Sequence, residues 1–265
     1  MIRDLPVITS PANDRVKYAK NLQKGRVRHR EGCYLLEGLR LIEQALDNGG
    51  EPAFSFFLSS FLVEERAAAL AERLLAVSPV YLATEAILNV VADTETPQGI
   101  VSVFRMPSFS IEKTSTDELC IILDGVADPG NMGTILRCAQ GSGFDTVLLT
   151  KGCVDPYSPK VVRAGMGAQE YLNVGYGIEW SGVIGLLQGK QIALAHMSAV
   201  QTVWDVDWTQ PTALIIGNEA HGVSKEALAA ASELFSLPMV GGLESLNAAM
   251  AASISMFEAV RQRRS

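Results

Sequence analysis

Three short segments hold the residue types that could do chemistry. The first, DGVADPGNMG, runs from Asp124 to Gly133 after the apolar stretch Leu119–Leu123 and before a predicted helix over Thr134–Gly141. Asn131 sits just ahead of that helix, where its amide can either cap the first turn or hold a ligand. Arg137, about one turn in, either projects back over the loop or lies solvated on the helix surface. The second segment, GNEAHGVS from Gly217, follows the buried strand predicted over Ala213–Ile216. A glycine directly after a strand lets a ligand approach the backbone. This loop has neither GxGxxG spacing nor a Gly-Lys-Ser/Thr ending, so it is not a dinucleotide or phosphate loop. Glu219 and His221 are capable of acid–base work. A hydrolase triad completed by Asp205 or Asp207 would need a GxSxG elbow, and none exists. The third segment, LPMVGGLESLN from Leu237 to Asn247, joins a strand to a helix rich in small residues (Ala248, Ala249, Ala251, Ala252, Ser253), a surface suited to close packing, including against a second subunit.

The elements that must position these loops form a parallel α/β pattern. Strands are predicted at Leu119–Leu123, Thr146–Leu149, Ile192–Ala195, Ala213–Ile216 and Leu234–Leu237. Helices follow at Lys160–Gly167, up to Gln188, at Lys225–Ala231 and from Leu246 to Arg264. In such sheets ligands bind beyond the carboxyl ends of the strands, where all three loops fall. The first half alternates on a smaller scale. Helices are predicted over Asn13–Leu22, Leu39–Leu46, Val63–Val77 and Thr84–Val90, and strands over Cys33–Leu36, Phe54–Leu58, Val80–Leu82 and Ile100–Phe104. This is a small α/β domain. The polar stretch around Pro107 reads as a linker. The expected division is residues 1–106, a linker at 107–117, and 118–265.

The chain has 265 residues, 48% hydrophobic and 19% charged, enough to bury a sizeable core. The N-terminus lacks the apolar centre of a secretory signal and no apolar run could span a bilayer, so a cytoplasmic location without membrane attachment is expected. Cys33, Cys120, Cys138 and Cys153 form no CxxC pair, and with three histidines they read as buried free thiols rather than a metal site. Net charge is −7, but the first 30 residues carry +6 and the rest −13. Arg15, Lys17, Lys20, Arg26 and Arg28 in that basic stretch either neutralise nucleic-acid phosphates or form an ordinary solvated face.

Taken together, the three segments resemble the signature motifs of the SpoU (TrmH-like) branch of the SPOUT RNA methyltransferases. DGVADPGNMGTILRCAQGSGF is similar to the first motif, LIIGNEAHGVS to the second and LPMVGGLESLNAAMAASISMFEAVRQR to the third. VDPYSPKVVRAGMGA matches the segment that connects them, so the resemblance covers about Leu119–Arg264. TSPANDRVKYAKNL and YLLEGLRLIEQAL resemble an L30e-like RNA substrate-binding domain. The resemblance implies a parallel sheet with a deep trefoil knot, an exception to the usual absence of knots. It also implies a homodimer joined through the C-terminal domain, with the last helix at the interface. S-adenosyl-L-methionine would be held in a bent form by Gly217, Asn218, Gly222, Leu237, Met239, Leu246 and Ala248.

The implied reaction methylates a ribose 2′-hydroxyl, on ribosomal RNA of the 23S type given the N-terminal resemblance; the hydroxyl requirement excludes DNA. Asn131, Arg137, Glu219 and Asn247 match the polar positions around methyl donor and acceptor, with Arg137 commonly reaching from the second subunit. A guanidinium gives up its proton too reluctantly to be a good base, so orienting the ribose and stabilising negative charge is the role expected of Arg137. The third motif departs from the family pattern at Ala249, where a serine is usual. Transfer RNA as the substrate, or a non-catalytic RNA-binding protein marked by Ala249, are the alternative readings. A base-methylating enzyme is disfavoured by Asn131 and Arg137.

Overall fold

The computed structural model describes residues 5–116, 118–242 and 245–264. Arg3 and Asp4 of the basic stretch, Asp117 of the expected linker, and Leu243 and Glu244 of the third loop lie outside the described residues. In chain order the elements are β1 (Val7–Ile8), α1 (Asp14–Asn21), α2 (Gly25–Glu31), β2 (Cys33–Glu37), α3 (Leu39–Asp47), β3 (Pro52–Leu58), α4 (Glu65–Leu75), β4 (Val80–Ala83), α5 (Glu85–Val91) and β5 (Ile100–Arg105). They continue with α6 (Ile111–Thr116), β6 (Leu119–Asp124), α7 (Pro129–Ser142), β7 (Thr146–Thr150), α8 (Pro159–Gly165), β8 (Asn173–Ile178), α9 (Trp180–Leu186), β9 (Gln191–Ala195), β10 (Thr212–Gly217), α10 (Lys225–Ala230), β11 (Glu233–Phe235) and α11 (Ala248–Arg263). Two compact units result: residues up to Pro107 with Tyr157–Glu170, and Ser108–Pro156 with Tyr171 onward.

The first unit is a five-stranded sheet in the order β1-β4-β3-β5-β2. β1, β4 and β3 run parallel, and β5 is antiparallel to β3 and β2. Consecutive residues of a strand point to opposite faces, so the buried pair Phe56 and Phe57 feeds two cores. One core takes Val16, Ala19 and Leu22 with Ile87 and Leu88; the other takes Leu41, Ile42, Leu70 and Leu74. The second core also contains Tyr157 and Val162, so α8, read from sequence as part of the C-terminal domain, belongs to the first unit. The physical reason is burial: Tyr157 stacks edge-on against Tyr34, and the Arg163 guanidinium pairs with Asp93 at 2.7 Å.

The second unit is a six-stranded, wholly parallel sheet, order β11-β9-β10-β6-β7-β8. Central β6 and β7 are buried along their whole length, which is why their sequences read as unbroken apolar runs. The chain moves outward from β6 through β7 and β8 and then returns to the far side of β6, so β6 and β10 flank the switch point where ligands collect in such folds.

Two sequence readings change here. The expected linker contains α6, tied into the second unit by Asn173: its side-chain oxygen accepts from Ser110 N at 2.7 Å and its amide donates to Ser110 O at 2.8 Å. Helix α7 begins at Pro129 rather than Thr134, because Asp128 caps it and a proline at the first position is already shaped for a helix.

Glu170 is held in the first unit by the Tyr34 hydroxyl, beside Gly50 and the Glu51 carboxylate. Burial, reinforced by the Glu51 charge, pushes its carboxyl up to about 7, while the Tyr34 hydrogen bond pulls the other way. The folded protein therefore holds this proton more tightly than the unfolded chain. Its contribution to stability is complete below the unfolded pKa and fades as pH rises towards 7. Glu170→Gln should remove that slope and raise stability at pH 8 by up to about 3 kcal/mol, read from urea unfolding at pH 5 and pH 8.

Candidate active site

A cavity of about 490 Å³ opens at the carboxyl ends of β9, β10 and β11. Its walls are Ile216 to Val223 from the β10 loop, Phe235 to Leu237 and Met239 after β11, Ser245, Leu246, Ala248 and Ala251 at α11, and Ala195 to Met197 after β9. All seven expected cofactor positions (Gly217, Asn218, Gly222, Leu237, Met239, Leu246 and Ala248) line it, together with Glu219.

The β10 loop owes its shape to short-range constraints. A Cβ on Gly217 would lie 2.5 Å from Val223 Cγ1 and 2.7 Å from the Gly222 carbonyl carbon, closer than atoms pack, so only glycine fits. Gly222, at φ +71°, supplies the left-handed turn. Asn218 and Gly222 exchange backbone hydrogen bonds at 2.8 and 3.0 Å. The Asn218 side chain closes the turn: its oxygen accepts from Ala220 N and His221 N, and its amide donates to Gly125 O at 2.7 Å. Asn218 thus joins the second loop to the first.

A stronger junction lies beneath it. Asp124 ends β6 and is 7% exposed. Its Oδ2 accepts from Ser224 N at 2.6 Å, and its Oδ1 accepts from Trp180 Nε1 at 3.0 Å and from Thr150 Oγ1 at 3.1 Å. Ser224 also caps α10 by accepting from Ala227 N. A carboxyl this buried is tolerated because both of its oxygens receive donors. The sequence signal was available, since an acid closing a six-residue buried strand is exceptional, but sequence reasoning passed over Asp124.

The polar positions expected around the acceptor separate. Asn131 lies in the first turn of α7 and does not cap it; Asp128 Oδ1 does, accepting from Asn131 N at 2.7 Å. That leaves the Asn131 amide to donate to Glu219 Oε1 at 2.9 Å, which brings the first and second segments together at the cavity rim. Arg137 is two turns into α7 rather than one, exposed, with no hydrogen bond or ion pair among the described residues. Asn247 caps α11, accepting from Met250 N at 2.7 Å, and contributes nothing to the cavity wall. Ala249 is buried in the first turn of α11 and also lies off the wall, which takes Ala248 and Ala251 from this helix. Asp205 and Asp207 are occupied locally, with Thr202 and Thr209.

On the first unit, Arg15, Lys17, Lys20 and Arg26 are exposed on α1 and α2. Arg15 sits 4.8 Å above the Tyr81 ring, and Lys17 lies 3.6 Å from Asp14. Arg28 is a correction to the sequence reading. It is 3% exposed, and its Nη1 donates to Leu22 O and Gln23 O, both at 2.8 Å. It satisfies carbonyls at the end of α1 and is not available to a phosphate.

The chain matches the model of the SpoU rRNA methylase family over residues 118–257 and that of the MRM3-like substrate binding domain over residues 13–102. It is 35% identical to rRNA methyltransferase 3, mitochondrial, of Mus musculus, across 96% of this chain and 73% of that protein. It is 30% identical to the 23S rRNA (guanosine(2553)-2′-O)-methyltransferase RlmP of Bacillus subtilis, across 94% of this chain and 97% of that one. Among solved structures it resembles the SpoU methyltransferase AviRb from Streptomyces viridochromogenes in complex with AdoMet, with a TM-score of 0.85, 28% identity, and coverage of 96% of this chain and 99% of that chain.

Asp124→Asn replaces one acceptor with an amide that cannot satisfy Ser224 N and the Trp180 and Thr150 donors together. It should cost about 1–3 kcal/mol of stability. Amide exchange at Gly217–Ser224 should accelerate more than at β7, as hydrogen-exchange mass spectrometry would show.

Proposed function

This chain belongs to the SpoU rRNA methylase family, and from that premise we propose that it is an S-adenosylmethionine-dependent RNA 2′-O-methyltransferase acting on ribosomal RNA of the 23S type. The observation that carries the reading is the single cavity built by the second and third loops, with the first loop joined to its rim through Asn131 and Glu219. Its size lies within the range of small-molecule sites, about 300–1,000 Å³.

The residues present suit the cofactor. Ile216, Leu237, Met239 and Leu246 offer apolar walls to a purine, Gly217 exposes bare backbone to its polar edge, and Glu219 is an anion at the rim for a cationic sulfonium. When bound, S-adenosylmethionine supplies a methyl group on that sulfonium. The rest of the chemistry falls to side chains of this chain. Asn131 holds Glu219 in place, while Arg137 is free to grip an RNA phosphate, orient the ribose and stabilise negative charge growing on the 2′-oxygen.

Two further features support an assembly of two chains. Gly130, Thr134, Arg137 and Gly141 share one exposed stripe of α7. Beside it α11 exposes Met250 and Phe257, half-open to solvent, with the Phe257 ring next to Gly141. A second copy laid on this face would bury the apolar pair and place Arg137 at the partner's site. The trefoil knot implied by the motifs belongs to the same reading. RNA would meet the first unit through Arg15, Lys17, Lys20 and Arg26, in line with the substrate-binding family matched there. Among the described residues no helix is long and apolar enough to cross a membrane, which suits a cytoplasmic enzyme.

Tritium from labelled S-adenosylmethionine should enter unmodified 23S rRNA and leave tRNA unlabelled. Label confined to tRNA, or none despite cofactor binding, overturns the proposal. Arg137→Ala should lower turnover at least about 100-fold with cofactor affinity measured by calorimetry unchanged. Reversing Lys17, Lys20 and Arg26 to glutamate should weaken RNA binding and flatten its dependence on salt by roughly 0.7–0.9 per lost phosphate contact in a plot of log K against log salt.

A further inference from the structure

His196 stands at the end of β9, where the chain enters the cavity wall, yet nothing in the motif loops refers to it. Its backbone is fixed to the neighbouring strand, His196 N donating to Phe235 O at 2.8 Å. Its ring is fixed as well. Ser198 N lies 3.3 Å from Nδ1 and Ser198 Oγ lies 2.8 Å from it. A backbone N–H can only donate, so Nδ1 is the acceptor, and in the neutral ring the proton sits on Nε2. The imidazole is therefore locked at one edge by a two-residue turn and carries an N–H on the other.

Elsewhere along this wall Ser236 is committed to the Gln201 carbonyl, and His221 and Ser245 are exposed with no side-chain hydrogen bond among the described residues, whereas His196 is half-buried and oriented. Asn218 is consumed by the β10 loop, and Glu219 by Asn131. The apolar positions Leu237, Met239 and Leu246 can grip a ring but cannot hydrogen-bond it. A cofactor with ring nitrogens and ribose oxygens needs donors from the wall, and a pre-oriented ring N–H supplies one at little entropic cost.

We propose that His196, oriented by Ser198, is a cofactor-binding residue of this chain, donating through Nε2 to an acceptor atom of the adenosine moiety. This rests on the methyltransferase reading above. It is a binding role with no part in the chemistry, so it should act alike on S-adenosylmethionine and on S-adenosylhomocysteine, which share the adenosine and differ in the sulfonium charge.

Calorimetry on the full chain separates the possibilities. His196→Ala should raise the Kd of both ligands by the same factor, about five- to tenfold. His196→Gln, whose amide nitrogen reaches close to the Nε2 position, should recover most of the affinity, whereas His196→Asn, which reaches only as far as Nδ1, should not. Ser198→Ala, which releases the ring and leaves its N–H, should cost about two- to threefold. In turnover assays His196→Ala should raise KM for the cofactor and leave kcat and the KM for RNA unchanged. Unchanged Kd values in His196→Ala, or equal losses in the glutamine and asparagine variants, overturn the assignment while the methyltransferase reading stands. Wild-type protein that binds neither ligand overturns that reading, and this assignment with it.

Discussion

The second unit is organised around one buried carboxyl group. Asp124 receives donors from the strand beside it, from the start of α9 and from the entrance to α10. Strands β6 and β10 are hydrogen-bonded neighbours along their length, but their loops must diverge at the switch point, where backbone pairing ends. The side-chain acceptors of Asp124 and the Asn218 amide continue the pairing beyond the strand ends. Without them the β10 loop would have no fixed position over the cavity. The Gly217–Gly222 turn holds its own shape through short-range bonds, and the anchor sets where that turn, and with it the Asn131–Glu219 bond, lies over the cavity.

Much of this was legible in the sequence, for physical reasons. Buried parallel strands leave unbroken apolar runs, so β6, β7 and β10 could be found to within a residue or two. Caps leave polar residues before helices, and Thr84, at the start of the predicted helix, caps α5. The start of α7 was misplaced because glycines at Gly130 and Gly133 suggested a loop, whereas the Asp128-Pro129 pair had already fixed the first turn. Helices α2 and α6 and the strands β1 and β8 escaped because they are short, glycine-bearing or polar, and owe their existence to tertiary partners such as Asn173.

The candidate site was legible in a different way. Loop glycines and small residues announce close approach to a ligand, and the expected cofactor positions do face one cavity. Side-chain roles were harder to read, because the same residue type serves two ends. Asn247 caps a helix, Arg28 completes a helix terminus from a buried position, and Asn131 is released for Glu219 only because Asp128 takes the cap. Identity alone cannot separate these uses; burial and the partner atom do.

The placement of Tyr157–Glu170 bears on how the molecule comes into being. The chain passes between the two units at Pro107, at Pro156 and again at Glu170. During synthesis the first sheet is complete once β5 emerges, but Tyr157 and Val162, which belong to its second core, arrive only after β6, α7 and β7 have been made. The N-terminal unit therefore completes its second core only after the first segment of its neighbour, Ser108–Pro156, has been made. The same threading sets a limit on modular evolution. Exchanging only the first 107 residues would leave Tyr157 and Val162 packed against a core they were not matched to.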